Sequence, residues 1–417
     1  MQLRRVVVTG LGALTPIGNN RDEYWNGLMN GVSGAAPITL FDAEKFKTRF
    51  ACEVKNFDVL NFFDRKEARK LDRYHHLSII TADEAIADSG LDLDKVDKDM
   101  VGVVTGGGIG GINSFYEEVK SYVEGGLTPR FNPFFIPKQI IDIAPGMISI
   151  KYGFRGPNYS TVSACASASH ALQDAFNLIR LGDADVIISG GAEAAVSPVG
   201  VGGFNAMKAL SERNDEYKTA SRPFDASRDG FVLGEGAASI VLEEYEHAKA
   251  RGAKIYAELV SVSATADAHH MTAPHPEGIG ISRVMTNAMR KSGLSLEDVD
   301  YINVHGTSTP LGDAVELKAI QEVFGEHAYN INISSTKSMT GHLLGAAGAI
   351  EAAACILAID RSMVPPTINH QTTDPQIDPK LKLTPNKAEA REVNVAVSNT
   401  FGFGGHNCSV VFSKVSD

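Results

Sequence analysis

The sequence predicts an α/β fold, and three observations carry that reading. Apolar runs closing on glycine or small polar residues, at Val6–Val8, Val101–Val104 and Val186–Ser189, read as strands, and helical stretches separate them. The same order returns later, with Tyr301–Val304 as a buried strand, a small-residue helix through Ala346–Ile359, and alternating Val393, Val395 and Val397. The closing strands echo one another too: Gly236–Leu242 follows the glycine-rich residues 230–236, and Cys408–Phe412 follows Gly402–Gly405. An internal duplication is expected, with an N-terminal half at residues 1–255 and a C-terminal half at 256–417. The divide falls between a helix holding Glu244–Arg251 and a strand Ile255–Val260.

With 417 residues, 43% of them hydrophobic, the chain can bury a large core. Its 39 basic and 50 acidic residues leave a net charge of -11, which argues against nucleic acid or an anionic membrane surface as the main partner. The four cysteines, Cys52, Cys165, Cys355 and Cys408, are scattered without paired metal-ligand spacing, and they are too few to staple a chain of this size. No metal is expected, and a reducing cytoplasm fits. The start carries basic residues and a three-valine strand, far short of a secretory apolar region. The most apolar later stretch, Ala346–Ile359, is interrupted by Glu351 and is too short to cross a bilayer, so no membrane insertion is expected.

In chain order, the first unusual segment is Asp64–Arg73, where Lys66, Arg69, Lys70 and Arg73 share one helical face. It reads as a docking stripe for an acidic partner or, given Asp64, Glu67 and Asp72 among the basic residues, as a solvated face. Gly106–Gly111 follows a strand and satisfies the dinucleotide spacing at Gly106, Gly108 and Gly111. Yet Ser114–Val123 reads as a helix, and no later strand ends in a ribose-binding acid. Turns and close packing explain the glycines better, and no cofactor is expected.

Cys165 lies in Ser163–His170, where small residues run into a helix marked by Leu172, Ala175, Phe176 and Ile179, with Gly182 as its cap and Ser163 a candidate for capping the start. A thiol at a helix N-terminus gains from free amides and the macrodipole, which lower its pKa and make it nucleophilic. The alternative is a buried cysteine that fills space. Its surroundings must decide. His305 follows a buried strand and opens the hydroxyl-rich loop Gly306–Pro310; Lys337 and His342 occupy a loop before a helix that contains Glu351. One nucleophilic cysteine with two histidines suits a reaction that holds an acyl group and then stabilises an enolate, since two neutral imidazoles can donate to one oxygen. Lys337 adds positive charge and pairs with Glu351 in the simplest reading, which an ordinary buried ion pair also satisfies. The glycine-rich Asn399–Asn407 lets the backbone approach a ligand, and the amides of Cys165 and Phe401 are candidates for an oxyanion hole. A cleft between the halves can draw Cys165 from one and the histidines from the other.

Together, Val162–Cys165, Asn303–Pro310, Lys337–Gly348, Asn399–Asn407, Ser221–Asp225 and Gly230–Gly236 resemble the elongating β-ketoacyl-acyl carrier protein synthases, most nearly those of bacterial type II fatty acid synthesis. The resemblance spans essentially the whole chain. It implies a thiolase-like duplicated α-β-α-β-α layered sandwich, a homodimer, and acyl carrier protein as partner in acyl and malonyl forms. It implies that Cys165 takes the acyl chain, that His305 and His342 promote malonyl decarboxylation and hold the enolate, that Lys337 and Glu351 organise them, and that Phe401 gates the pocket. Ile109, Phe135, Ile136, Phe204 and Leu344 are then pocket walls, Thr272, Thr307 and Thr309 contact substrate, and Arg65, Lys66, Arg69, Lys70 and Lys208 dock the carrier. Ala168, Thr400 and His406 depart from the glycine, serine and threonine commoner in that family. Two relatives of the pattern stay open, a polyketide-type ketosynthase and a noncatalytic chain-length partner; the presence of Cys165 speaks for an enzyme.

Overall fold

The computed structural model describes residues 3–416. Ten strands form one sheet: β1 (Val6–Leu14), β2 (Val101–Gly106), β3 (Asn158–Thr161), β4 (Val186–Glu193), β5 (Gly236–Glu244), β6 (Ala257–Ala266), β7 (Tyr301–Asn303), β8 (Asn332–Ser334), β9 (Val395–Gly402) and β10 (His406–Ser413). Their spatial order is β8-β7-β9-β10-β6-β1-β5-β4-β2-β3. One wiring occurs twice. β2 is parallel to β3 and β4, β4 antiparallel to β5, and β5 antiparallel to β1; β7 likewise is parallel to β8 and β9, with β10 and β6 completing the copy. A short antiparallel contact of Val7 and Val8 with Glu258 and Ala257 joins β1 to β6. The strand expected at Ile255–Val260 starts at Ala257 and continues to Ala266, because pairing with β10 carries it past the apolar run that marked it in the sequence.

Helices occupy three layers. On one outside face α1 (Arg73–Ser89) packs on β1, β4 and β5; α2 (Ile112–Glu124) lies at the surface. Between the sheet halves run α3 (Ser167–Leu181), then, after α4 (Ile279–Ser292) and α5 (Gly312–Phe324) on the other outside face, α6 (Ala347–Arg361). α3 touches β2 and β4 on one side and β6 and β10 on the other, while α6 touches β7 and β9 as well as β4 and β5. The order is α-β-α-β-α. A helix can be sandwiched so closely only if its side chains are small, and Ala347, Ala349, Ala352, Ala353, Ala354 and Ala358 of α6 are all essentially inaccessible. In α3 the stripe Leu172, Ala175, Phe176 and Ile179 is buried, and Gly182, at φ 89°, closes the helix.

The two central helices begin alike. Each is 15 residues long and follows a single 3-10 turn, Ala164–Ala166 or Leu344–Ala346. Each turn opens on a non-glycine residue with positive φ, Ala164 at 51° and Leu344 at 47°. Such a conformation costs about 1 kcal/mol or more and persists only where its surroundings impose it. Here it swings Cys165 and Gly345 into the middle of the molecule.

The basic stripe does not lie on one helix. Arg65–Ala68 is a single turn capped by Asp64; the chain then breaks, and Asp72 caps α1 afresh. Arg73 consequently points inward, forming a two-pronged pair with the buried Glu235 at 2.6 and 2.7 Å, whereas Lys66, Arg69 and Lys70 stay outside. Two closely spaced aspartate caps beat the helical periodicity of the basic residues.

Candidate active site

Cys165 sits in the turn leading into α3, only 7% exposed, and its Sγ lies 3.0 Å from Nε2 of His342. The ring of His305 stands 5.3 Å from that of His342 at 88°, and Sγ with one nitrogen from each ring falls within a 4.8 Å circle. Strand β7 delivers His305; Glu316 on α5 holds the His305 and Gly306 amides at 2.9 Å each. His342 leaves the short helix Lys337–Thr340, and its amide is fixed on the Val232 carbonyl at 2.7 Å. Phe231 presents its edge to His342 at 5.2 Å, and Phe401 leans on His305 at 5.8 Å.

The expected cheap thiolate does not appear. Burial pushes the Cys165 thiol up to about 12, against the pull of Lys337 and of the Phe403 amide. A macrodipole contribution of about 1 kcal/mol is too small to offset loss of water around a sulfur anion. Burial, then Lys337, also drives His342 well below its ordinary value; His305 follows for the same reasons, with His342 as a further cause. Both rings are neutral at physiological pH, able to donate a hydrogen bond each. Glu351, pushed up to about 7 by burial, receives Nζ of the buried Lys337.

One other expectation changes at the nucleophile. Ser163 does not cap the turn; its hydroxyl hydrogen-bonds His170 Nδ1 at 2.6 Å, and Ser167 Oγ accepts from the Ser163 amide at 2.9 Å instead. The Phe403 amide also reaches Sγ, because β9 ends at Gly402 and the chain turns there toward the sulfur. A Cβ on Gly402 would stand 2.9 Å from the Ser163 carbonyl and 3.1 Å from the Cys165 amide, which explains that glycine. The departures at Thr400 and His406 have local partners: Thr400 Oγ1 meets Ser169 Oγ at 2.9 Å, and the His406 ring lies edge-on to His170 at 6.4 Å.

A cavity of about 610 Å³ opens above these groups. Ile109, Phe204, Thr272, Thr307, Thr309, Leu344, Phe401 and Lys208 line it. Thr307 and Thr309 hydroxyls stand 3.1 Å apart on a loop whose carbonyls at Thr309 and Pro310 are gripped by Arg228 at 3.0 and 2.7 Å. Phe135 and Ile136 do not line it. They lie on the short helix Phe135–Gln139, in an exposed apolar patch where Phe135 stacks with Phe115 and Phe131 and Ile136 is 60% exposed. Arg65, Lys66, Arg69 and Lys70 surround a separate hollow with Phe134, away from Lys208 at the cavity.

Sequence reasoning missed Phe403, Phe231, Glu193 and Glu316. Only the two glutamates left a trace, as acids placed at a strand end and beside the apolar stripe of a helix. Cys165, His305 and His342 could ligate a soft metal, but Lys337, whose charge already depresses both histidines, opposes a cation there. Oδ1 of Asn303, Oγ of Ser398 and Oε2 of Glu351 are buried without hydrogen-bond partners.

Fold and site together suit a carbon–carbon condensing enzyme, with Cys165, His305 and His342 gathered at the cavity. The beta-ketoacyl synthase N-terminal domain matches residues 3–248 and the beta-ketoacyl synthase C-terminal domain residues 256–371, so the chain belongs to the beta-ketoacyl synthase family. It is 50% identical over 414 residues to 3-oxoacyl-[acyl-carrier-protein] synthase 2 of Synechocystis sp., covering 99% of both chains. A crystal structure of a beta-ketoacyl synthase from Burkholderia phymatum is 36% identical with a TM-score of 0.90, covering 99% of this chain and 100% of that one. A type II polyketide ketosynthase solved with its acyl carrier protein is 35% identical, also at TM-score 0.90, and covers 100% of both chains. No helix among the described residues is long and apolar enough to cross a membrane.

Proposed function

We propose that this chain elongates acyl chains by decarboxylative Claisen condensation, joining an acyl group carried on Cys165 to malonyl-acyl carrier protein and releasing 3-oxoacyl-acyl carrier protein, free carrier and CO2. The contact of Cys165 with His342 beside a neutral His305, at the floor of the cavity, carries this reading. As the sulfur attacks the acyl-carrier thioester, His342 takes the thiol proton and passes it to the departing carrier thiol; the amides of Cys165 and Phe401 serve as the oxyanion hole for the carbonyl oxygen. Malonyl-carrier then enters. Loss of CO2 leaves an enolate whose oxygen accepts from His305 and His342, and its carbon attacks the Cys165 thioester. The thiolate expelled regains a proton. Burial, aided by the charge of Lys337 that Glu351 fixes in place, keeps both imidazoles neutral; Lys337 also attracts the malonyl carboxylate, while Thr307 and Thr309 suit the carrier's phosphopantetheine arm.

In this reading the N-terminal half, residues 1–255, supplies the nucleophile and the C-terminal half, 256–417, the histidines. The carrier docks on Arg65, Lys66, Arg69 and Lys70, with Lys208 at the cavity mouth, and the enzyme works in the cytoplasm. A homodimer is supported by the bare edge strand β3, followed by Val162 at 62% exposure, and by the apolar patch of Phe115, Phe131, Phe134 and Ile136. Phe135 and Ile136 act as pocket walls only once a second chain covers them. The 50% identity to a fatty acid synthase component, against 35% to a polyketide ketosynthase, favours fatty acid elongation over polyketide assembly.

Incubation with malonyl-carrier and acyl-carriers of several lengths, followed by mass identification, tests this directly. The expected product is longer by two carbons and bears a 3-oxo group; Cys165→Gln is expected to lose condensation yet still decarboxylate malonyl-carrier. Loss of both activities in the folded variant contradicts the division of labour.

A further inference from the structure

Glu193 closes β4 fully buried, and no cation among the described residues pairs with it. Its carboxylate instead accepts four backbone amides: Gly108 at 2.9 Å, Ile109 at 3.2 Å, Gly110 at 3.3 Å and Gly345 at 3.0 Å. The glycine-rich turn that mimics a dinucleotide loop thus cradles an anion of its own chain. The two turns also touch directly. A Cβ on Gly345 would stand 2.1 Å from the Gly108 amide, and one on Gly108 would stand 2.6 Å from Glu193 Oε2. From one turn Ile109 reaches the cavity beside Cys165, and from the other Leu344 does, two residues after His342.

We propose that Glu193 is a positioning residue for acyl-chain selection: its carboxylate clasps the turns carrying Ile109 and Leu344, and so sets the width of the cavity next to the nucleophile. This rests on reading the cavity as the acyl site. Burial raises the Glu193 carboxyl to about 7 against the pull of those four amides, and in its ionised form it holds them better than a neutral acceptor does. Four donors converge on two oxygens, and a charged acceptor makes each bond shorter and stronger. Glutamine offers one oxygen and turns an NH2 group against the remaining amides. The wall then opens, without loss of any group that touches the reacting atoms.

The test needs no carrier protein and no condensation, so a wild type that fails to condense leaves it intact. Cys165 is alkylated with iodoacetamide and with N-alkyl iodoacetamides of increasing chain length, followed by intact mass. The readout is the long-chain rate divided by that of iodoacetamide itself, which cancels changes in thiol reactivity. Glu193→Gln is expected to change that ratio by about tenfold, the scale on which a pocket discriminates methylenes. Gly108→Ala, which pushes the carboxylate off its amides while leaving it in place, is expected to move the ratio likewise and decides the matter if Glu193→Gln does not fold. Glu243→Gln removes a buried carboxylate far from the cavity, bonded to Thr9, His247 and Arg251, and is expected to lower Tm with the ratio unchanged. A wild-type ratio in either folded clasp variant overturns the proposal, as does an equal shift in Glu243→Gln.

Discussion

At the scale of single residues, the chemistry turns on which protonation states burial allows. Cys165 and His342 meet at 3.0 Å, and the thiol raised to about 12 beside an imidazole held well below its ordinary value makes them a neutral pair at rest. Below a thiol's pKa the thiolate fraction grows about tenfold per pH unit. Alkylation of Cys165 by iodoacetamide is therefore expected to climb steadily from neutral pH through pH 9. A plateau reached below pH 7 would mean a thiolate–imidazolium pair, with the helix end outweighing desolvation after all. Neutral imidazoles are also what enolate stabilisation requires, because each can donate a proton-bearing nitrogen without surrendering it.

Among elements, α6 and the short helix before it are locked by Lys337 and Glu351, both buried. Breaking a buried pair strands one charge in a poor solvent and costs about 3–5 kcal/mol, whereas removing both ends costs far less. Lys337→Met is expected to be destabilised on that scale in urea titrations, with Lys337→Met/Glu351→Gln recovering most of it; additive losses would show that the pair is not coupled. The broken basic segment yields a second expectation. Since Arg73 serves Glu235 inside, Lys66, Arg69 and Lys70 are what remains of the stripe at the surface. Reversing those three to acids is expected to raise KM for carrier-bound substrate and to spare small thioesters, as kinetics on both substrates would reveal. Equal effects return the segment to a solvated face.

For the molecule as a whole, the duplicated wiring puts one unpaired strand at each end of the sheet, β8 and β3. β3 is the more exposed, and with Val162 it forms a template for a second copy. Light scattering is expected to give about twice the 44.5 kDa chain mass, and Val162→Asp to shift the assembly toward monomer. A wild-type monomer at micromolar concentration would remove the dimer and, with it, any pocket role for Phe135 and Ile136.

The duplicated α/β order, the small-residue helix through Ala346–Ile359, and the grouping of Cys165, His305, His342, Lys337 and Glu351 were legible because local signals mark them: apolar periodicity, runs of small residues, and polar chemistry set at strand and helix ends. What depends on contacts between distant segments was not. The inward turn of Arg73, the Phe403 amide at the sulfur, the exposure of Phe135 and Ile136, and the clasp of Glu193 on two glycine turns all arise from where the chain returns after tens or hundreds of residues. Even the state of the nucleophile belongs to this second group. Sequence set the thiol at a helix entrance, but the depth to which two packed halves bury it decided that the proton stays on, because excluding water costs an anion more than one helix end returns.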